Sequence, residues 1–288
     1  MISLGIIMAG GQGSRLRPIT LAVNKHLLPI YDKPMIYYPL STLMLAGIKK
    51  ILIIINKQDL ASFKKLLGNG KKLGIEINYI IQKKSLGIAD VFGLCEKYIK
   101  NKKFALMLGD NFFFGQGLSE LLANLQKIND GATIFLKEVN NPKDFGVAKI
   151  SKNKITKIIE KPKKFISNYA ITGLYIFDSN SLKIAKKIKK SKRNELEITD
   201  VIKIYLKRNK LNFYKLGRGT IWKDCGSTEN LIYLNGLVKN LEEEGLFKIA
   251  CLEEIAIKKK FISFNSLKLI DLKNKSPYYE YINQLKKN

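Results

Sequence analysis

The sequence predicts an α/β fold, a mostly parallel mixed sheet with helices on both faces. Two observations carry this. The short runs Leu4–Ala9, Ile51–Ile55 and Phe104–Leu108 are continuously apolar, as strands buried on both faces are. Between them lie stretches of helical length and spacing, so strand and helix alternate through the first half. With 288 residues, 46% of them hydrophobic, the chain can bury one large core, with room for a small annex.

Each element follows in order. Leu4–Ala9 is the first strand and stops at the glycine-rich loop Gly10-Gly11-Gln12-Gly13-Ser14-Arg15. Pro34–Ala46 reads as a helix, opened by Pro34 and closed by Gly47. Ile51–Ile55 is a strand, Asp59–Leu67 a helix and Ile75–Ile81 a strand. Leu86–Ile99 is helical, with Val91, Leu94, Cys95 and Tyr98 on one face. Phe104–Leu108 is a strand, Leu118–Ile128 a helix and Ala132–Lys137 a strand. Val147–Ile150 and Ile155–Ile159 form a hairpin across a polar turn, a small β insertion beside the main sheet. Tyr169–Phe177 is a strand, Ser179–Lys187 a helix, Thr199–Arg208 a helix capped by Thr199, and Leu211–Leu216 a strand. Thr228–Glu244 is a long helix. From Leu252 the pattern is helical and lysine-rich, interrupted by Pro277.

Composition removes several function classes. No apolar run reaches the ~18 residues of a membrane span. No basic region leads into a long hydrophobic stretch at the N-terminus, so no secretory signal is expected. Cys95, Cys225 and Cys251 are odd in number and widely spaced, unlike a disulfide framework or a zinc site, so a cytoplasmic location is expected. The net charge of +27 would draw polyanions at low salt. Yet of 51 basic residues only Arg15, Arg17, Arg193, Arg208 and Arg218 are arginine, and the lysines are scattered. A dedicated nucleic-acid surface concentrates Arg, Lys and aromatics on one face. Compositional bias explains the charge better, and no specific nucleic-acid partner is expected.

The chemistry concentrates where strands end. Gly10, Gly11 and Gly13 follow the first strand, with Arg15, Arg17 and Lys25 close behind. Backbone N–H groups in such a loop can face phosphate oxygens. The pattern lacks the third glycine of a dinucleotide fingerprint and the Gly-Lys-Ser/Thr of a P-loop. A phosphate cradle and a plain glycine-rich turn both remain open. Asp110 follows Phe104–Gly109 directly, where open α/β sheets bind ligands. It reads as a Mg²⁺ ligand or as a cap of the next segment. Asp224 offers a second carboxylate, and Glu160-Lys161-Pro162 closes a strand. Glycines, cations and isolated carboxylates suit phosphoryl or nucleotidyl transfer, where catalysis is positioning and charge neutralisation.

These residues carry a family resemblance along essentially the whole chain. Met8–Leu16, Lys25–Gly47, Leu108–Asn111, Glu160–Pro162, Ser167–Tyr175, Glu195–Asp200 and Cys251–Ala256 resemble, in order, the sugar-nucleotide pyrophosphorylases. The match is to their short bacterial glucose-1-phosphate thymidylyltransferase branch. The resemblance implies a Rossmann-like nucleotidyltransferase domain over 1–240, with a nucleotide half near 1–110 and a sugar-phosphate half near 111–240. It implies a helical C-terminal region, 241–288, for subunit contacts and regulation. The implied reaction joins dTTP and α-D-glucose 1-phosphate into dTDP-glucose and pyrophosphate with Mg²⁺, feeding dTDP-rhamnose or another dTDP-deoxysugar. A homotetramer with feedback inhibition by a downstream dTDP-sugar is implied too.

The resemblance also implies roles. Gly10, Gly11 and Gly13 would hold the nucleotide, and Arg15 would neutralise charge at the transferring phosphorus. Lys25 would steady the triphosphate. Gln82 would read the thymine edge, with Gly87 against the base. Asp110 and Asp224 would bind Mg²⁺. Lys161 would hold the sugar phosphate. Asn111, Gly146, Glu160 and the backbone of Ile171 would line the sugar pocket. Four positions depart from the family's form: His26 for a glutamine, Lys83 for a proline, Asp90 for a glutamine and Cys225 for a threonine. Asp90 needs a partner near bound triphosphate, and Lys83 or Lys84 is expected to supply it. Two rival readings are a pyrophosphorylase of other nucleotide or sugar preference and an inactive regulatory homologue.

Overall fold

The computed structural model describes residues 2–125, 130–269 and 275–285. Strands β1 (Leu4–Met8), β4 (Lys50–Ile55), β5 (Glu76–Ile81) and β6 (Phe104–Leu108) form a parallel block in the order β6-β1-β4-β5. β4 is buried from Ile51 to Ile55, which is why its sequence shows no alternation. Beyond β6 the sheet turns mixed. β11 (Tyr169–Phe177) runs antiparallel to β6, and to β8 (Ala132–Glu138) on its other side. β12 (Leu211–Lys215) pairs parallel with β8. The hairpin β9 (Gly146–Ser151) and β10 (Lys154–Glu160) belongs to this main sheet, at its edge.

Two apolar clusters cover the two faces. One gathers α1 (Tyr37–Leu45), α2 (Leu60–Leu67), α5 (Leu118–Asn124) and α9 (Leu252–Lys258) around residues such as Ile53, Phe63 and Met107. The other gathers α3 (Val91–Leu94), α6 (Ser181–Ala185) and α7 (Ile198–Lys207) around Phe92, Phe104 and Phe177. Phe92 meets Phe177 edge-on, ring centres 5.2 Å apart.

Several expected elements differ. The first helix begins at Tyr37, because Lys33–Pro34 is instead β3, a two-residue strand paired with β2 (Pro29–Ile30). The helix expected over Leu86–Ile99 is broken. A 3₁₀ turn at Ile88–Asp90 leads into α3, and Cys95 separates α3 from α4 (Glu96–Ile99). Glu197, not Thr199, stands at the N-cap of α7. Pro277 does not interrupt a helix but opens one, α10 (Pro277–Gln284), as its fixed φ permits at the first turn. The expected helix end at residues 126–128 lies outside the described residues. Besides β2, two short strands had no sequence expectation: β7 (Asn111–Gly115) and β13 (Thr220–Asp224), which pair antiparallel.

The long helix α8 (Thr228–Gly245) runs unbroken through residue 240, with Ser227 accepting from the Asn230 N–H at its cap. It is tied to the main body by buried charge. Lys33 Nζ donates to Glu242 Oε1 at 2.8 Å and also bonds Asp32, and Lys248 Nζ reaches Asp32 and Glu242 at 2.6 and 2.8 Å. Lys33 and Glu242 side chains are 1% and 2% exposed. Removing one partner strands the others without solvent. Glu242→Ala is therefore expected to cost about 3–5 kcal/mol in chemical denaturation. Lys186→Ala, which breaks the exposed pair with Glu96, should cost less than about 1 kcal/mol.

Candidate active site

The site forms where the sheet splits. β11 meets β6 along Leu174–Phe177, but its other end, at Ala170, pairs with β9. Its pairing with β8 also shifts register between Ile171 and Tyr175. Thr172 and Gly173 therefore lie at a break in the ladder. The Gly173 N–H is taken by the Asn111 side chain instead, at 2.9 Å.

Asn111 organises this point. Its Oδ1 accepts from Gly173 N–H and from Trp222 Nε1 at 2.6 Å, while its Nδ2 donates to Asp110 Oδ1 at 3.0 Å. Strand pairing then places Asp224 opposite Asn111, and the Cys225 N–H donates to the Asp110 carbonyl at 2.7 Å. Two carboxylates 114 positions apart in sequence thus share one locus.

The charges there are unequal. Burial alone would push the Asp110 carboxyl up, but the Lys25 ammonium bonded to it holds it well below the usual range. Asp224 lacks such a close cation, and Arg15 Nη2 stands 3.8 Å away. Burial and the neighbouring Asp110 charge push its carboxyl up to about 6. Two largely enclosed, electrostatically interacting carboxylates fit a hard divalent cation. Among the described residues no group of three His, Cys, Asp or Glu forms a fuller ligand set. Such an ion would draw its remaining ligands from phosphate and water.

Lys25 is held from behind. The Asn24 amide donates to Asp59 at 2.7 Å, which turns its oxygen to the His26 backbone N–H and Nδ1, at 2.9 and 2.8 Å. Burial, and then the Lys25 charge, lower the His26 pKa to about 3, so the imidazole is neutral. His26 acts as a packing wedge rather than a charge. Cys225 is likewise buried, beside Tyr38 and Phe112.

Two clefts meet here, sharing Ile88, Leu108 and Glu195. The first is lined by Gly10, Gly11, Lys25, Gln82, Gly87 and Asp110. The second holds Arg15, Asn111, Gly146, Glu160, Lys161 and Ile171, with Asp224 at the junction. Gly13 lines neither. At φ 60° it makes the turn, its carbonyl accepting from Leu16 N–H and Thr20 Oγ1. Lys161 also sits at positive φ, 40°, at the mouth of β10.

Sequence reasoning missed Arg193, Glu195, Glu197 and Thr172 in the second cleft. Arg193 bonds Glu197 at 2.8 Å and pairs with Glu160 and Glu195 at 3.3 and 3.4 Å. Its rarity as an arginine in a lysine-biased chain was the available signal. Thr172 is buried and its hydroxyl has no hydrogen-bond partner among the described residues. The expected partner of Asp90 also differs. Neither Lys83 nor Lys84 pairs with it among the described residues, and the Gln82 amide nitrogen donates to it at 3.2 Å.

The family model described as nucleotidyl transferase matches residues 4–240. The chain belongs to that family. It is 45% identical over 285 residues to a Neisseria meningitidis glucose-1-phosphate thymidylyltransferase, covering 98% of this chain and 99% of that one. A Mycolicibacterium smegmatis protein of the same name is 43% identical, with 91% of each chain covered. Among solved structures, a Bacillus anthracis protein named for the same activity, in complex with sucrose, superposes with TM-score 0.76 at 40% identity. It covers 82% of this chain and 95% of that one. A UDP-glucose pyrophosphorylase in complex with UDP-glucose gives TM-score 0.72 at 27% identity, over 83% and 99%. Among the described residues no helix is long and apolar enough to cross a membrane.

Asn111→Ala removes the acceptor of two buried N–H groups, Gly173 and Trp222. Each stranded donor costs about 1–3 kcal/mol. The variant should lose about 2–4 kcal/mol in thermal or chemical denaturation. Trp222 fluorescence should change along with the stability.

Proposed function

We propose that the chain transfers a thymidylyl group: dTTP and α-D-glucose 1-phosphate become dTDP-glucose and pyrophosphate. The observation that carries this is the meeting of two polar clefts at one pair of carboxylates, flanked by Lys25 and Arg15. One cleft has a glycine-loop wall for a nucleotide, and the other has the acceptors and hydroxyl a sugar needs. The thymine and glucose preference rests on the full-length likeness to proteins of that name.

In this mechanism the loop backbone of Gly10 and Gly11 faces the phosphates, with Gly13 setting the turn. Gln82 reads the base edge, and Gly87 lies against it. Lys25 holds the triphosphate. Lys161 holds the sugar phosphate, while Asn111, Gly146, Glu160 and the Ile171 backbone hold the ring. A sugar-phosphate oxygen attacks the α-phosphorus in line. The new P–O bond forms as the bond to the β-phosphate oxygen breaks, and pyrophosphate leaves with its electron pair. Arg15 neutralises charge on the five-coordinate phosphorus. Asp110 and Asp224 are the residues that would hold Mg²⁺, which supplies further charge neutralisation when bound.

The product would feed dTDP-rhamnose or a related dTDP-deoxysugar. Ile232, Tyr233 and Leu246 are exposed apolar residues on and just after α8. They support a homo-oligomer, a tetramer in the proposed reading, with subunit contacts at the C-terminal region. Feedback by a downstream dTDP-sugar belongs to the same reading.

Pyrophosphate release with Mg²⁺, glucose 1-phosphate and each nucleotide in turn tests the assignment. Release should be fastest with dTTP, require the sugar phosphate, and fall about 10²–10³-fold in Asp110→Asn. UTP should be partly accepted, since a thymine methyl contributes only ~1–3 kcal/mol in a pocket. No release with dTTP, or faster release with ATP or GTP, would sink the assignment. In a second assay, Lys161→Ala should raise KM for glucose 1-phosphate far more than KM for dTTP. Equal effects on both substrates would move Lys161 out of the sugar-phosphate site.

A further inference from the structure

Asp90 has a specific place in the fold. It ends the 3₁₀ turn Ile88–Asp90 at the head of α3, but its side chain makes no capping bond there. Its carboxylate instead accepts from Gln82 Nε2. We propose that Asp90 is a positioning residue for base selection: it locks the Gln82 carboxamide in one of its two orientations and so excludes cytosine. The proposal rests on the reading of Gln82 as the group that meets the base edge.

A carboxamide is nearly symmetric in shape, but one end only donates and the other only accepts. Rotation by half a turn exchanges them. An ionised carboxylate accepts and cannot donate. Facing Asp90, only the nitrogen of Gln82 makes a bond, and the rotated amide would set its oxygen against two carboxylate oxygens. The orientation is therefore chemically fixed. The opposite end, Oε1, then lies against Gly10, where a Cβ would come within 2.6 Å of it. The cleft presents a hydrogen-bond acceptor at that point, on a side chain only 4% exposed.

Both partners are anchored. The Gln82 N–H donates to the Ile55 carbonyl at 2.8 Å, extending the β4–β5 ladder by one residue. The turn carrying Asp90 is clamped to the segment beside Glu195. There Leu196 N–H donates to the Leu86 carbonyl at 2.7 Å, and Ala89 N–H to the Leu196 carbonyl at 3.0 Å. Neither end can drift to accommodate a rotated amide.

The consequence is a donor–acceptor code. Thymine and uracil carry an N3–H donor between two carbonyl acceptors. They match an amide whose oxygen is presented and whose second N–H stays free. Cytosine carries an N3 acceptor beside an amino donor, and pairs only with the amide rotated. A glutamine or asparagine at position 90 would bond either orientation, and would leave this choice open.

The test is kcat/KM for dTTP, UTP and CTP with glucose 1-phosphate, in the unmodified protein, Asp90→Asn, Asp90→Gln, Gln82→Ala and Gln82→Ala/Asp90→Asn. Asp90→Asn and Asp90→Gln should each narrow the dTTP:CTP ratio by about tenfold or more, the worth of one hydrogen bond. Part of that change should be a real gain with CTP. The dTTP:UTP ratio should stay fixed, because both bases show the same edge. In the Gln82→Ala background, Asp90→Asn should no longer alter the ratio. A merely structural Asp90 would lower all three nucleotides by one factor, and that result in both position-90 variants would overturn the proposal while Gln82→Ala still shifted base preference. If Gln82→Ala leaves base preference unchanged, the base-reading role of Gln82 falls as well.

Discussion

One carboxamide holds the site together. Asn111 fills a gap that the sheet itself creates, where β11 leaves β6 to pair with β9. Its oxygen satisfies Gly173 on β11 and Trp222 on β13, and its nitrogen steadies Asp110. No other residue type of that size offers two acceptor lone pairs and two donors on one short arm. Aspartate would put a third carboxylate beside Asp110 and Asp224. Leucine would strand both N–H groups in the core. The break in the ladder and the convergence of the acidic pair are thus one feature, and the pocket exists because the strand ladder is interrupted there.

Charge balance explains why the site can be rich in carboxylates within a chain of net charge +27. Lys25 is paired with Asp110, both largely enclosed, so part of its charge is balanced locally and only the remainder faces an arriving triphosphate. Asp224 is left in excess, its carboxyl raised by burial and Asp110 although the Lys25 and Arg15 charges partly offset them. Arriving phosphates add negative charge to a place that has little cation to spare. A divalent ion held by the two aspartates would offset both deficits, and the Arg15 side chain, 63% exposed, has room to reach a phosphate. The scattered surface lysines contribute a general field but no local partner.

The sequence made the central strands legible because burial on both faces leaves no alternation to misread, as in Ile51–Ile55. It made Gly10–Gly13, Lys25 and Asp110 legible because they follow strand ends, where open sheets bind ligands. It hid β13. Thr220–Asp224 mixes polar and apolar residues and becomes a strand only by pairing with β7, so nothing local announced Asp224's partner. Pro34 is ambiguous for a similar reason: its fixed φ suits a helix start, but pairing with Pro29 uses it in a strand. The run Leu86–Ile99 has helical spacing, yet Gly87, pinned at φ 103° against Leu196, and the break at Cys95 divide it. Arg193 was marked in the sequence only by its rarity as an arginine: Glu195 and Glu197 lie close in sequence, but the fold alone brings Glu160, 33 positions away, to the same guanidinium.

That acidic group also bears on how the second cleft divides its work. Glu160, Glu195 and Glu197 surround a single guanidinium, which leaves the cluster negative. Burial, then the Glu197 charge, push the Glu160 carboxyl up. A phosphate would be repelled from this wall, whereas a neutral ring of hydroxyls would find strong acceptors. The buried Thr172 hydroxyl, without a hydrogen-bond partner among the described residues, lines the same cleft and offers one more polar contact. The cations that can take the phosphate, Lys161 and Arg15, line the same cleft, and Arg15 lies toward Asp224. In the proposed reading, a sugar phosphate would be oriented largely by sign, its ring toward the glutamates and its charged end toward Arg15 and Lys161. Its phosphate oxygen would then face the nucleotide cleft, so the charge pattern would favour the reactive pose before any specific sugar contact forms.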